Sequence, residues 1–102
     1  MTQFMEIHPK GLDRCWLETS LDPTQLHLHV TELPPGSRPH PPHSHGGIEA
    51  FYLLEGNGAI ETEDGLILLD VNQAAILDSN HRHGVVNTGS VPMKYLVIQT
   101  ST

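Results

Sequence analysis

The chain has 102 residues and a mass of 11.2 kDa, a size that accommodates one hydrophobic core. Five Lys and Arg against twelve Asp and Glu give a net charge of −7, and the basic residues form no cluster suited to nucleic acid or anionic membranes. No apolar stretch approaches the roughly twenty residues of a membrane-spanning helix, and the N-terminus lacks the pattern of a secretion signal. We therefore expect a soluble, cytoplasmic, single-domain protein over residues 1–102 that binds neither nucleic acid nor membranes.

Turn-forming residues divide the chain into runs that are too short for ordinary helices, since nine Gly and eight Pro are spread along it. Apolar and polar residues alternate in 26–33, which predicts a half-buried strand, and Asp64-Gly65 predicts a hairpin. In chain order, strands are predicted at 15–17, 26–33, 48–54, 59–63, 66–69, 73–77, 83–87 and 93–100. Seven or eight short strands separated by regular turn signals are typical of an all-β sandwich or barrel.

Histidine is the most informative residue type, with eight copies in the chain. His43 and His45 have the same parity, so on a strand they project to the same face. Glu49 shares that parity, but a straight strand would carry it about 13 Å from His45, too far for one metal ion with bonds near 2 Å. We expect Gly46-Gly47 to provide the required bend. With His83 as a fourth candidate, three imidazoles and one carboxylate suit a first-row divalent ion.

The spacing of these residues resembles the first motif of the cupin superfamily, G-x5-H-x-H-x3,4-E-x6-G, over residues 36–56. Gly36 is followed by six residues and His43-x-His45, then by three residues and Glu49, and then by six residues and Gly56. The one departure is an extra residue before His43.

A second stretch, residues 72–87, is similar to the second cupin motif, G-x5-P-x-G-x2-H-x3-N. His83 and Asn87 are kept, whereas Asn72, Asp78 and Asn80 replace the usual Gly, Pro and Gly. Asn is the commonest non-glycine residue in left-handed conformations, so these replacements are physically mild.

The resemblance implies a double-stranded β-helix, the jelly-roll-like barrel of cupins, usually assembled as a homodimer. It also implies that His43, His45, Glu49 and His83 bind one divalent transition metal ion per chain, with Fe, Mn, Zn, Ni and Cu all open. The alternative is that these histidines lie on a solvated face or form a site without metal.

The residues around the metal site are predicted from strand parity. Inward-facing Phe51, Leu53 and Val85 would give the pocket an apolar wall, with Asn87 as a hydrogen-bonding support. His81 shares the parity of His83 and is the candidate acid or base of catalysis.

A second histidine pair and two arginines lie outside the predicted metal site. His27 and His29 form a second H-x-H pair, for which a solvated strand face is favoured and the barrel mouth is the alternative. Arg38 and Arg82 are not aimed at the metal, so we expect a small, weakly charged, metal-chelating ligand. The alternative is an anionic substrate for which the metal ion is the principal cationic anchor.

Two functional hypotheses stay open, because cupins carry many unrelated activities. The first is a metal-dependent enzyme of oxygenase, isomerase or lyase type, in which the ion acts as a Lewis acid or redox centre on a small organic substrate. The second is a non-catalytic cupin that binds a metal and a small ligand, or acts as a sensor. The enzyme is favoured, because regulatory cupins are often fused to a DNA-binding domain and this chain has no such segment.

Overall fold

The computed structural model describes residues 2–101, which fold into antiparallel sheets with the topology of a β-barrel. This confirms the predicted all-β, double-stranded β-helix fold. Within the described residues, the strands in chain order are β1 (Phe4–Ile7), β2 (Cys15–Glu18), β3 (Leu26–Leu33), β4 (Ile48–Glu55), β5 (Asn57–Thr62), β6 (Gly65–Asp70), β7 (Ala74–Asp78), β8 (His83–Val86) and β9 (Met93–Thr100). No helix in this part of the chain is long and apolar enough to cross a membrane.

Two sheets enclose the core. The first has four strands in the order β3-β9-β4-β7, and the second has three in the order β6-β5-β8. Because side chains alternate between the faces of a strand, each sheet contributes one apolar face to a shared cluster. The cluster consists of Leu33, Phe51, Leu53, Ile60, Leu69, Val85, Met93, Tyr95 and Val97.

The face of β3 that carries His29 was expected to be solvated, but it is the inner face of the barrel. His29 and Thr31 point into the barrel and Leu33 joins the core, so the odd-numbered positions are the inner ones. Val30 is also buried, because the segment before β2 lies over its outer side and the backbone N–H of Val30 donates to the carbonyl of Lys10 across 2.8 Å. Because Val30 on the outer face is as buried as the inner residues beside it, alternation alone does not tell which face of this strand is inside.

The turn of the second motif accommodates an asparagine in place of the usual glycine, as expected. Asn72 has a φ of 66°, the left-handed conformation predicted for this position. Its backbone N–H donates to the carbonyl of Leu53 across 3.0 Å, which ties the turn to the end of β4.

The N-terminal hairpin of β1 and β2 stands apart from the barrel sheets, since its two strands pair with each other. Strand β2 was predicted from the sequence, whereas β1 was not, because it is four residues long and shows no clear alternation. Phe4 and Trp16 are each more than half exposed on this hairpin. The chain measures 47 × 28 × 21 Å and has a radius of gyration of 14.5 Å, larger than the about 13 Å of a compact domain of this length.

Candidate metal centre

The structure brings together the four side chains that the motifs single out. The potential ligand atoms of His43, His45, Glu49 and His83 all lie within 4.8 Å of one another. The three imidazole rings form a near-equilateral triangle, with centroids 5.0, 5.0 and 5.1 Å apart, and each pair meets edge to face. Such an arrangement directs ring nitrogens to one point beside the carboxylate.

Backbone pairing between two segments that are distant in the chain places two of the rings opposite each other. His43 and His83 exchange both of their backbone hydrogen bonds, at 2.9 and 2.8 Å, in an isolated antiparallel bridge at the start of β8. The bend between His45 and Glu49 occurs at Gly47, whose φ is 97°. A Cβ at this position would lie 2.3 Å from the carbonyl oxygen of Thr100, so only glycine fits here.

Ser79 connects the two halves of the site. Its backbone N–H donates to the carbonyl of Gly47 at 2.9 Å, and its own carbonyl accepts from the N–H of His45 at 2.8 Å. Its hydroxyl, in a fully buried residue, donates to Oε1 of Glu49 across 3.1 Å. Ser79 was not predicted as a site residue, because a serine between Asp78 and Asn80 has the pattern of an ordinary turn residue.

Hydrogen bonds on the far side of two rings determine how they face the carboxylate. Nδ1 of His83 lies 2.8 Å from the carbonyl of His81, and Nδ1 of His45 lies 2.9 Å from the carbonyl of Gly46. These contacts assign the proton of a neutral ring to Nδ1, so the lone pair of each Nε2 is directed at Oε1 of Glu49, 2.8 and 2.6 Å away.

This donor set fits a metal ion. Two lone pairs facing a carboxylate oxygen repel it unless a cation or a shared proton lies between them, and Glu49 is only 5% exposed, so water compensates little. Backbone carbonyls that orient the rear nitrogen of a histidine are the usual support of metal-binding imidazoles. The residues present therefore suit a divalent ion bound by three imidazoles and one carboxylate.

The electrostatic environment keeps His43 neutral. Burial lowers the pKa of its imidazole, and the neighbouring rings of His40, His83 and His45 lower it further, whereas Glu49 acts in the opposite direction. The ring of His40 stacks on that of His43 with centroids 4.2 Å apart. Neutral imidazole is the form that ligates metals, so the lowered pKa favours the ligating state.

The four side chains line a cavity of about 290 Å³ inside the barrel. Among the predicted pocket residues, Phe51 and Val85 line this cavity. Leu53 does not: it is fully buried in the core beyond the cavity wall. Asn87 also lies outside the cavity, where its side-chain amide donates to the carbonyls of Leu33 and Val91 at 3.1 and 2.8 Å.

The expected placement of His81 is wrong. Its side chain is 73% exposed and stands 4.0 Å from Asp78 Oδ2, outside the cavity. Parity with His83 holds only along a strand, and β8 begins at His83, so His81 belongs to the preceding turn. Only its backbone carbonyl contributes to the site, through the contact with Nδ1 of His83.

Several cavity residues were not predicted from the sequence. Their elements come together only in the barrel, and no local pattern distinguishes them. His29 lines the cavity, which agrees with the alternative that the His27/His29 pair lies at the barrel mouth and not with the favoured solvated face. The other unpredicted lining residues include Lys10, Thr31, His40, Tyr95 and Gln99. Burial raises the pKa of Tyr95 to about 12, so this hydroxyl stays neutral at physiological pH.

The comparison with protein families matches most of the barrel. The Cupin_2 model, described as Cupin domain, covers residues 29–99, which are 71 of the 102 residues. No curated protein is similar enough in sequence to match the chain.

Solved structures share the fold. A sugar phosphate isomerase of the cupin superfamily from Silicibacter pomeroyi has a TM-score of 0.69 at 23% identity, covering 76% of this chain and 52% of that one. A predicted oxalate decarboxylase from Thermotoga maritima has a TM-score of 0.65 at 27% identity, covering 72% and 64%. A cupin protein from Bacteroides fragilis has a TM-score of 0.72 at 22% identity, covering 98% and 77%. The chain thus spans about half to two thirds of the first two, and the neighbours below 25% identity show the fold alone.

Proposed function

The chain belongs to the Cupin_2 family, and from this premise we propose that it is a metal-dependent enzyme acting on a small, metal-chelating organic substrate. His43, His45, Glu49 and His83 bind one divalent transition metal ion. Four protein donors leave about two positions of a six-coordinate ion free for the substrate. The convergence of these donors on one cavity is the observation that carries the proposal.

The bound ion and the residues around the cavity have different roles in the proposed reaction. The bound ion supplies Lewis acidity or redox chemistry for an isomerase, lyase or oxygenase reaction. Phe51, Val85 and Val97 provide an apolar wall that limits water around the substrate. Ser79 keeps the Glu49 carboxylate in place, and the carbonyl of His81 keeps Nε2 of His83 directed inward.

In this proposal His29, and not His81, is the acid or base of catalysis. It lines the cavity. Burial, followed by the charge of Lys10, lowers the pKa of its imidazole. The neutral ring can accept a proton from a substrate near neutral pH.

The alternative is a cupin that binds a metal and a small ligand without catalysis. The exposure of His81 supports it, because the acid or base expected from the sequence is absent from the cavity. A regulatory or carrier role would use the same metal donors and place no demand on His29.

A metal analysis tests the metal site, which both the enzyme and the non-catalytic binding protein require. Protein purified without chelators is expected to contain about one iron, manganese, zinc, nickel or copper ion per chain. His83→Ala should lose most of it because one of four ligands is gone, whereas His27→Ala, on an exposed strand position, should retain it. A wild-type chain that is metal-free and takes up none of these ions contradicts the proposal. The ion found directs the assays, with oxygen uptake for iron and isomerase or lyase screens for zinc or manganese.

We also propose that two copies associate through the outer face of the four-stranded sheet. Leu28, Ile98, Ala50 and Ile76 are paired in one row across that face. Ile76 is 77% exposed and Ile48 is 53% exposed. The hairpin of β1 and β2 carries a second uncovered apolar surface, and a twofold pair can cover both by placing the hairpin of one copy on the sheet of the other.

A further inference from the structure

The cavity contains one cation that the metal site does not use. We propose that Lys10 binds an anionic group of the substrate, so that the cavity selects a small organic dianion, with one end chelating the metal ion and the other held by Lys10. This inference rests on the proposed function and deepens it by naming the substrate class. It replaces the sequence-based expectation of a weakly charged ligand.

Backbone contacts fix Lys10 at the rim of the cavity. Its carbonyl accepts a hydrogen bond from the N–H of Val30 on the edge strand β3, across 2.8 Å. The following residue, Gly11, has a φ of 77°, and a Cβ there would lie 2.4 Å from the carbonyl oxygen of Val30. Glycine thus allows the segment to lie directly against the strand, which brings the Lys10 side chain over the inner face.

The ammonium group of Lys10 is directed at the polar part of the cavity wall. Its Nζ donates to Oγ1 of Thr31 across 3.3 Å, and Thr31 is buried. Tyr95 lines the same cavity as Lys10 and Thr31. Within residues 2–101, no carboxylate lies within 4.0 Å of this ammonium, so two of its three donors have no charged or neutral protein partner.

The charges of the cavity balance best with a dianion. A divalent ion on Glu49 with three neutral imidazoles carries one net positive charge, and Lys10 adds a second. Tyr95 contributes none, because its hydroxyl is neutral. A substrate with two negative charges neutralises both, whereas a neutral chelator leaves the ammonium of the exposed Lys10 with Thr31 and solvent as its partners.

The separation of the two charges sets the size of the ligand. Glu49 on β4 lies opposite Gln99 of β9, and Thr31 on β3 lies opposite Tyr95 of β9, so the two residues are two strands and four positions apart, with their Cα atoms separated by about 16 Å in a flat sheet. The cavity of about 290 Å³ is at the lower end of the range for small-molecule sites. A small ligand with a chelating group at one end and a carboxylate or phosphate at the other fits this volume and can reach from the metal ligands towards Lys10.

Two oxo acids with the same chelating group separate the role of Lys10 from that of the metal. Pyruvate and 2-oxoglutarate both present a 2-oxo-carboxylate to the ion, but only 2-oxoglutarate carries a second carboxylate. We would measure the affinity of both for the metal-loaded chain by calorimetry, alongside the metal content. The variants are Lys10→Gln, Lys10→Arg as the charge-conserving form, and Lys94→Gln on the outer face of β9 as the matched control.

We expect the wild type and Lys94→Gln to prefer 2-oxoglutarate by about ten- to hundredfold, the range for a charge-assisted hydrogen bond. Lys10→Gln should lose this preference, with its pyruvate affinity and metal content unchanged, and Lys10→Arg should keep most of it. A wild type without the preference, or a Lys10→Gln chain that retains it, overturns the inference while the metal proposal stands. A chain that takes up no metal overturns the proposed function and this inference with it.

Discussion

The Ser79 hydroxyl donates a hydrogen bond to Oε1 of Glu49 across 3.1 Å, and the same oxygen faces Nε2 of His45 and of His83 at 2.6 and 2.8 Å. The serine therefore restrains the carboxylate at the place where the imidazoles converge. Because Ser79 is fully buried, no solvent competes for this hydrogen bond.

Ser79→Ala is expected to weaken metal binding by about ten- to hundredfold, the usual effect of removing a partner behind a metal ligand. A competition titration against a chelator of known affinity measures this change. Ser44→Ala, on an exposed serine between two of the metal-binding histidines, is the matched control and should bind as the wild type does. Equal affinities for the two variants would show that Ser79 has no positioning role.

Gly47→Ala should destabilise the chain by about 1–3 kcal/mol or more, because it forces a side chain into a left-handed conformation against the carbonyl of Thr100. Thermal unfolding measures the loss. The neighbouring Gly46→Ala is the control, since the nearest atom to its added Cβ is 3.8 Å away. If both variants unfold at the same temperature, the bend does not depend on Gly47.

The stability of the protein should fall as pH rises from about 10 towards 12. Burial raises the pKa of Tyr95 to about 12, whereas in the unfolded chain a tyrosine titrates near 10. Between these values the unfolded state has lost the proton that the folded state retains, so the free energy of unfolding decreases by up to about 2–3 kcal/mol. Urea unfolding at pH 9.5 and 11.5 measures the difference. Tyr95→Phe should reduce this pH dependence, and an unchanged slope would count against the assignment.

Ile76→Lys should convert the expected dimer into a monomer. The substitution places a charge on an apolar outer face, at a side chain that is 77% exposed in the single chain. Leu68→Lys is the matched control, since Leu68 is 70% exposed but lies on β6 of the other sheet. Analytical ultracentrifugation distinguishes the outcomes, and a monomeric wild type or a dimeric Ile76→Lys chain would refute the proposed interface.

The local pattern of residues was sufficient for much of the fold. The predicted strands 26–33 and 93–100 coincide with β3 and β9, because alternation and flanking turn residues are properties of neighbouring positions. The spacing of His43, His45, Glu49 and His83 also selected the four side chains that converge, since a family motif records a constraint on the fold.

Only the tertiary structure decided which face of each strand is inside and which distant residues meet. Parity grouped His29 with its neighbours but could not assign them to the cavity, and it placed His81 on a strand that begins two residues later. Lys10 and Ser79 reach the site through contacts across 21 and 30 positions. Such contacts depend on how sheets close around a core, and no short stretch of sequence contains that information.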